Sequence, residues 1–140
     1  MTRILVCGGR NYDNRLRLNE ILDKVKNRVG DDLVIVTGAQ RQWDKDKQQF
    51  IGADYLAEEW AKSREVEYMG FPAKWKKLAR KAGYERNTRM YRSALPNGCI
   101  AFSGGAGTQM MCGIMVEYGL TPWCIDWEYK PKPVTFPQGS

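Results

Sequence analysis

Two glycine-rich turns hold the residues best suited to chemistry in this chain. One is Gly8-Gly9, followed at once by Arg10; the other is Ser103-Gly104-Gly105-Ala106-Gly107-Thr108. Glycine has no Cβ, so an anion can approach the main chain closely, and free N–H groups at the positive end of a following helix attract it without a formal charge. Arg10 adds a guanidinium able to bind a phosphate through two donors. Thr108 offers either a hydroxyl donor or a helix cap. Taken singly, each glycine pair reads as a tight turn and Arg10 as a surface residue; converging, they describe a phosphate cradle. Neither turn matches the G-x-G-x-x-G dinucleotide fingerprint or the G-x-x-x-x-G-K-[ST] P-loop. Further candidates are Gly38 at the end of a second apolar run, Arg86-Asn87, and Asp54 near a predicted helix start, where a carboxylate often does no more than favour the dipole.

What is missing narrows the chemistry further. The 140 residues contain no histidine, which removes the usual general base at neutral pH and the commonest metal ligand. Cys7, Cys99, Cys112 and Cys124 have no Cys-x-x-Cys spacing, so no metal site is predicted and the four read as reduced core residues. No apolar stretch approaches the roughly 20 residues needed to cross a bilayer, and the N-terminus lacks the pattern of a signal peptide, so a cytoplasmic location is expected. The net charge of +6 is local: residues 74 to 92 hold eight Lys and Arg against Glu85 alone. Such a patch suits an anionic partner, although a solvated helix surface has the same composition.

The elements that must position these groups alternate. Arg3 to Cys7 reads as a first buried strand closed by Gly8-Gly9, and Asn14 to about Arg28 as an amphipathic helix with Leu16, Leu18, Ile21, Leu22 and Val25 inward, stopped by Gly30. Leu33 to Thr37 is a second strand, Ala53 to Arg64 a second helix, and Val66 to Phe71 a third strand. The polar, charged stretch from Gln40 to Phe50 reads as a long mobile loop. The basic segment reads as helix in two pieces interrupted around Gly83, with Trp75 and Tyr84 as core residues. Cys99 to Phe102, a helix up to Gly119, and Pro122 to Ile125 complete the pattern. The expected fold is therefore α/β: a single Rossmann-like, doubly wound domain with a mainly parallel five-stranded sheet in the order 3-2-1-4-5, whose switch point lies between the strands that end in the two glycine turns.

Several motifs recur together: Cys7-Gly8-Gly9-Arg10-Asn11-Tyr12, Gly52-Ala53-Asp54, Phe71-Pro72-Ala73-Lys74-Trp75, Ala82-Gly83 with Arg86-Asn87, and Ala101 to Thr108. From about Arg3 to Ile125 the sequence resembles the small YspA-like, cpYpsA-related branch of the SLOG superfamily, found in bacteria and phages. The resemblance implies a nucleotide-binding domain over residues 1–127, with 128–140 as a proline-rich tail. It also implies a pocket for a nucleotide or nucleotide-derived ligand, lined by Gly8, Gly9, Arg10, Asp54, Arg86, Asn87, Gly104, Gly105, Gly107 and Thr108, and pairing of subunits into a dimer. Relatives of this kind include phosphoribohydrolases, single-strand DNA-processing proteins and sensors of ADP-ribose-type signals. The hydrolases carry Pro-Gly-Gly-x-Gly-Thr-x-x-Glu; here Ser103 replaces the proline and Met111 the glutamate, which argues against an enzyme. The stretch from Gln40 to Ile51 looks inserted. Three functions follow as expectations: binding or sensing of a nucleotide derivative, hydrolysis of an N-glycosidic bond with Asp54 or another carboxylate in place of the missing glutamate, and single-stranded nucleic-acid binding through residues 74–92, with Lys and Arg for phosphate and Trp75, Tyr84 or Tyr91 for stacking.

Overall fold

Short apolar runs bounded by glycine or proline become strands, and the amphipathic stretches between them become helices. A computed structural model describes residues 1–131. In chain order the elements are β1 (Thr2–Cys7), α1 (Arg15–Val29), β2 (Leu33–Thr37), β3 (Gln42–Asp44), β4 (Gln49–Ile51), α2 (Ala53–Ser63), β5 (Glu67–Gly70), α3 (Trp75–Leu78), a 3-10 turn (Ala79–Lys81), α4 (Ala82–Ala94), β6 (Gly98–Phe102), α5 (Ala106–Glu117) and β7 (Trp123–Ile125). The main sheet runs β5-β2-β1-β6-β7, with every pairing parallel. This is the predicted order with the predicted switch point, between β1 and β6. The fold is an α/β, Rossmann-like domain with helices on both faces.

Strand alternation divides the core in two. Ile4, Val6, Ile100 and Phe102 turn towards α1 and α2, where they meet Leu18, Leu22, Leu56 and Trp60. Leu5, Cys7, Cys99 and Ala101 turn towards α4 and α5, against Met90, Ala94, Met111 and Met115. Three of the cysteines are buried there with half-buried Cys124 beside them, and all four are free thiols. A hydrogen bond with Cys7, together with burial, pushes the Cys112 thiol up, which holds it out of thiolate chemistry. No helix among the described residues is long and apolar enough to cross a membrane.

Four local expectations need correcting. The stretch read as a mobile loop contains an antiparallel hairpin, β3 paired with β4, closed by a turn in which the Asp44 carboxylate accepts the N–H groups of Asp46 and Lys47. Trp43 and Phe50 stack edge to face across the hairpin, their centroids 5.0 Å apart. Leu16 lies outside the core, 84% exposed, in the first turn of α1. The basic segment breaks not at Gly83, which lies inside α4, but at Ala79, held at φ 50°. That break leaves α3 only one turn long, so its apolar residues have no continuous stripe to join, and Trp75 and Tyr84 stand on the surface rather than in the core. At the C-terminal end, the Trp127 indole donates to the Ala101 carbonyl at 2.8 Å; most of the expected tail, residues 132–140, lies outside the described residues.

Candidate functional site

Because Cys7 pairs with Ala101 in the sheet, the ends of β1 and β6 lie side by side and their glycine turns meet. The Gly9 N–H donates to the Ser103 carbonyl at 2.9 Å. A Cβ on Gly104 would collide with the Thr108 hydroxyl and stand 2.5 Å from the Gly9 nitrogen. Gly104 is therefore the hinge between the turns, and it is not part of the cavity they enclose. All the other predicted residues line that cavity, which measures about 180 Å³: Gly8, Gly9, Arg10, Gly38, Asp54, Arg86, Asn87, Gly105, Gly107 and Thr108.

The two turns contribute differently from what the sequence suggests. Gly8-Gly9 does not open a helix; α1 begins only at Arg15, capped by the Asn14 side chain. Instead α2 docks there, its Ala53 N–H donating to the Gly9 carbonyl at 3.1 Å. Gly105 does open α5, and no side chain caps that helix. Thr108 is buried and serves as no cap. The first N–H groups of α5 are left without helical partners by geometry, and a Cβ at Gly105 or Gly107 would touch nothing within 4 Å. This end of the helix is an open, positively polarised wall.

Two buried ionisable side chains line the same cavity. Asp54, in the first turn of α2, is 8% exposed, and its Oδ2 accepts the Gln40 N–H at 3.1 Å. Burial pushes its carboxyl up to about 7, against the opposing pull of the Gln40 amide and the Arg86 charge. Arg86, in α4 and 7% exposed, donates through Nη1 to the Gly38 carbonyl at 2.7 Å and through Nε to Asn87 Oδ1 at 2.8 Å. A guanidinium carries five N–H donors, so among the described residues three of them have no partner. Nor does Arg86 form an ion pair within 4.0 Å among the described residues. Glycine at position 38 leaves room for both side chains, since a Cβ there would lie 2.7 Å from Arg86 Nη1 and 3.0 Å from Asp54 Oδ2 and would displace them. Met90 and Met111 form an apolar floor.

The family model described as "YspA, cpYpsA-related SLOG family" matches residues 2–78, more than half of the chain. The chain belongs to this family. No curated protein and no solved structure matches it. Within this SLOG chain, the matched span supplies Gly8, Gly9, Arg10, Gly38 and Asp54, the β1, β2 and α2 side of the cavity. The α4 and α5 side, with Arg86, Asn87 and the Gly105 to Thr108 turn, lies beyond the match and is joined to the first by the fold. Sequence reasoning missed Gln40, because its role is played by a backbone N–H that no side-chain type advertises.

The glycines divide into two kinds with opposite expected behaviour. Gly104→Ala should cost about 1–3 kcal/mol of stability, since the added methyl meets backbone that cannot withdraw. Gly107→Ala, in a helical position with open space, should stabilise by about 0.5–1 kcal/mol and yet weaken binding of an anion at the cavity mouth. Urea midpoints for the two variants check the first part and calorimetry the second; a destabilised Gly107→Ala would contradict the division.

Proposed function

We propose that this SLOG protein binds a nucleotide or nucleotide-derived ligand, with a phosphate in the cavity between the two glycine turns, and that it acts as a binding or sensing domain. The observation that carries this reading is Arg86: a buried guanidinium with three unpartnered donors, lining the same cavity of about 180 Å³ as the uncapped end of α5. A buried cation with open donors costs free energy unless an anion completes it. The remaining Lys and Arg groups of residues 74–92 lie mostly on the exposed surface of α3, the 3-10 turn and α4, where their field favours the approach of a small anion.

One feature favours hydrolysis as a second reading. A carboxyl that titrates near 7 is suited to giving a proton to a departing base while water takes the anomeric carbon, and Asp54 is such a group. One experiment separates the two. Calorimetry with nucleoside mono-, di- and triphosphates, ADP-ribose and its cyclic forms should give saturable binding, and chromatography of the same mixtures should detect no free base. Silence across the panel at millimolar concentration would overturn the binding reading; base release that disappears in Asp54→Asn would replace it with hydrolysis.

A further inference from the structure

Arg86 borders more than the cavity at the glycine turns. A second cavity of about 530 Å³ shares Arg10, Gly38, Gln40 and Arg86 with it. Its other walls come from the segments that follow β2 and β5, with Arg41 and Gln42 on the first and Pro72 and Trp75 on the second. The first space alone falls below the range of about 300–1,000 Å³ typical of small-molecule sites, whereas the second lies inside it. A ligand held through a phosphate at the turns therefore has a second cavity directly beside it, across these shared residues, near the C-terminal end of β2 and towards β5.

The chemistry differs between the two cavities. The inner part offers N–H donors and a guanidinium. The outer part offers flat surfaces: the Trp75 indole, 54% exposed, with one edge resting 3.8 Å from where a Cβ would stand on Gly83, and the Arg41 guanidinium, held 4.4 Å above the Phe50 ring. A large aromatic side chain left out of the core beside an anion site is a stacking platform in waiting, since every nucleobase has a π face and an arginine plane stacks equally well. Gln42 adds an amide that both donates and accepts, matching the edge of a base.

We infer that this outer cavity is the base-binding subsite, taking the planar heterocycle of a ligand whose phosphate lies between the glycine turns. The inference rests on the phosphate reading above and adds to it the class of ligand: a nucleotide recognised by base as well as phosphate, in preference to a bare sugar phosphate.

The test compares four nucleoside monophosphates with ribose 5-phosphate by calorimetry, on the full chain, in wild type, Trp75→Ala and Trp75→Phe. The indole is largely exposed, so neither variant threatens folding. At least one nucleotide should bind about tenfold or more tightly than ribose 5-phosphate to the wild type. Trp75→Ala should erase that advantage without changing ribose 5-phosphate binding, and Trp75→Phe should restore most of it. Equal binding of ribose 5-phosphate and all four nucleotides overturns the base subsite alone, as does a Trp75→Ala variant that weakens all five ligands alike. Failure of all five to bind at millimolar concentration overturns the phosphate reading and the subsite with it.

Discussion

Replacing Asp54 by asparagine should stabilise the protein by about 4 kcal/mol at pH 8 and change it little at pH 4. The figure follows from the displacement of this carboxyl from 3.8 to about 7, at 1.36 kcal/mol per pH unit. The sign follows from which state holds the proton. Burial keeps Asp54 protonated in the fold, while the unfolded chain releases its proton near pH 4. Between there and about pH 7 the unfolded state binds fewer protons, so stability falls as pH rises. Above pH 7 both states are ionised and the loss is complete. Asparagine has nearly the same shape, retains an oxygen for the Gln40 N–H and carries no proton to lose, so this part of the pH dependence disappears. Glu58, one helical turn further along α2, is also raised by burial, and its own titration remains in both proteins. Urea midpoints at several pH values from 4 to 8 give the difference directly. A difference that is constant with pH, or that shrinks as pH rises, would refute the assignment.

The strand order was legible because it depends on coarse features. Apolar runs such as Leu33 to Thr37 end abruptly in glycine, and each is followed by a helix-period stretch; right-handed crossovers then leave few ways to arrange five parallel strands. The hairpin was hidden because its strands have three residues each and mostly exposed side chains, so Trp43, Phe50 and Ile51 are its only apolar signal amid lysines and glutamines. In retrospect Asp44 marks its turn, since a short carboxylate that accepts two amides further along is a local device. The break at Ala79 had no such marker: alanine rarely adopts positive φ, and Gly83 was the more permissive residue nearby. Its consequence, the exposure of Trp75, decides between the core and stacking roles that the sequence leaves open for this residue.

For the site, the residue types at strand ends were informative and their division of labour was not. A run of glycines does not distinguish Gly104, which exists so that two backbones can touch, from Gly105 and Gly107, which face open space. Nor does it show that the Gly8-Gly9 turn would be completed by α2 rather than by the helix that follows it in sequence. Asp54 looked like a residue favouring a helix dipole and is also a buried group of the cavity, because β2 and α4 converge on the first turn of α2. Convergence of that kind belongs to the tertiary structure.

Arg86→Met should lower affinity for a phosphate-bearing ligand by about 100-fold, the cost of removing about two charge-assisted hydrogen bonds from a desolvated site. Methionine fills much of the same space without charge, so the loss is electrostatic more than steric. Lysine should recover only part of it, since a single ammonium cannot both hold the Gly38 carbonyl and present a planar fork to the ligand. A second effect should accompany the first. Arg86 pulls the Asp54 carboxyl down against its burial, so without the guanidinium that carboxyl should titrate above 7, and the pH at which stability stops falling should rise with it. Arg92→Met supplies the contrast: this residue belongs to the same basic segment, is exposed and lies outside the cavity, so its loss should reduce the rate of association at low salt and leave the dissociation rate unchanged. Stopped-flow binding at two ionic strengths reads both. If Arg92→Met proved the costly variant and Arg86→Met nearly neutral, the anion would be held by the exposed helix surface and the cavity between the glycine turns would be only a gap in the packing.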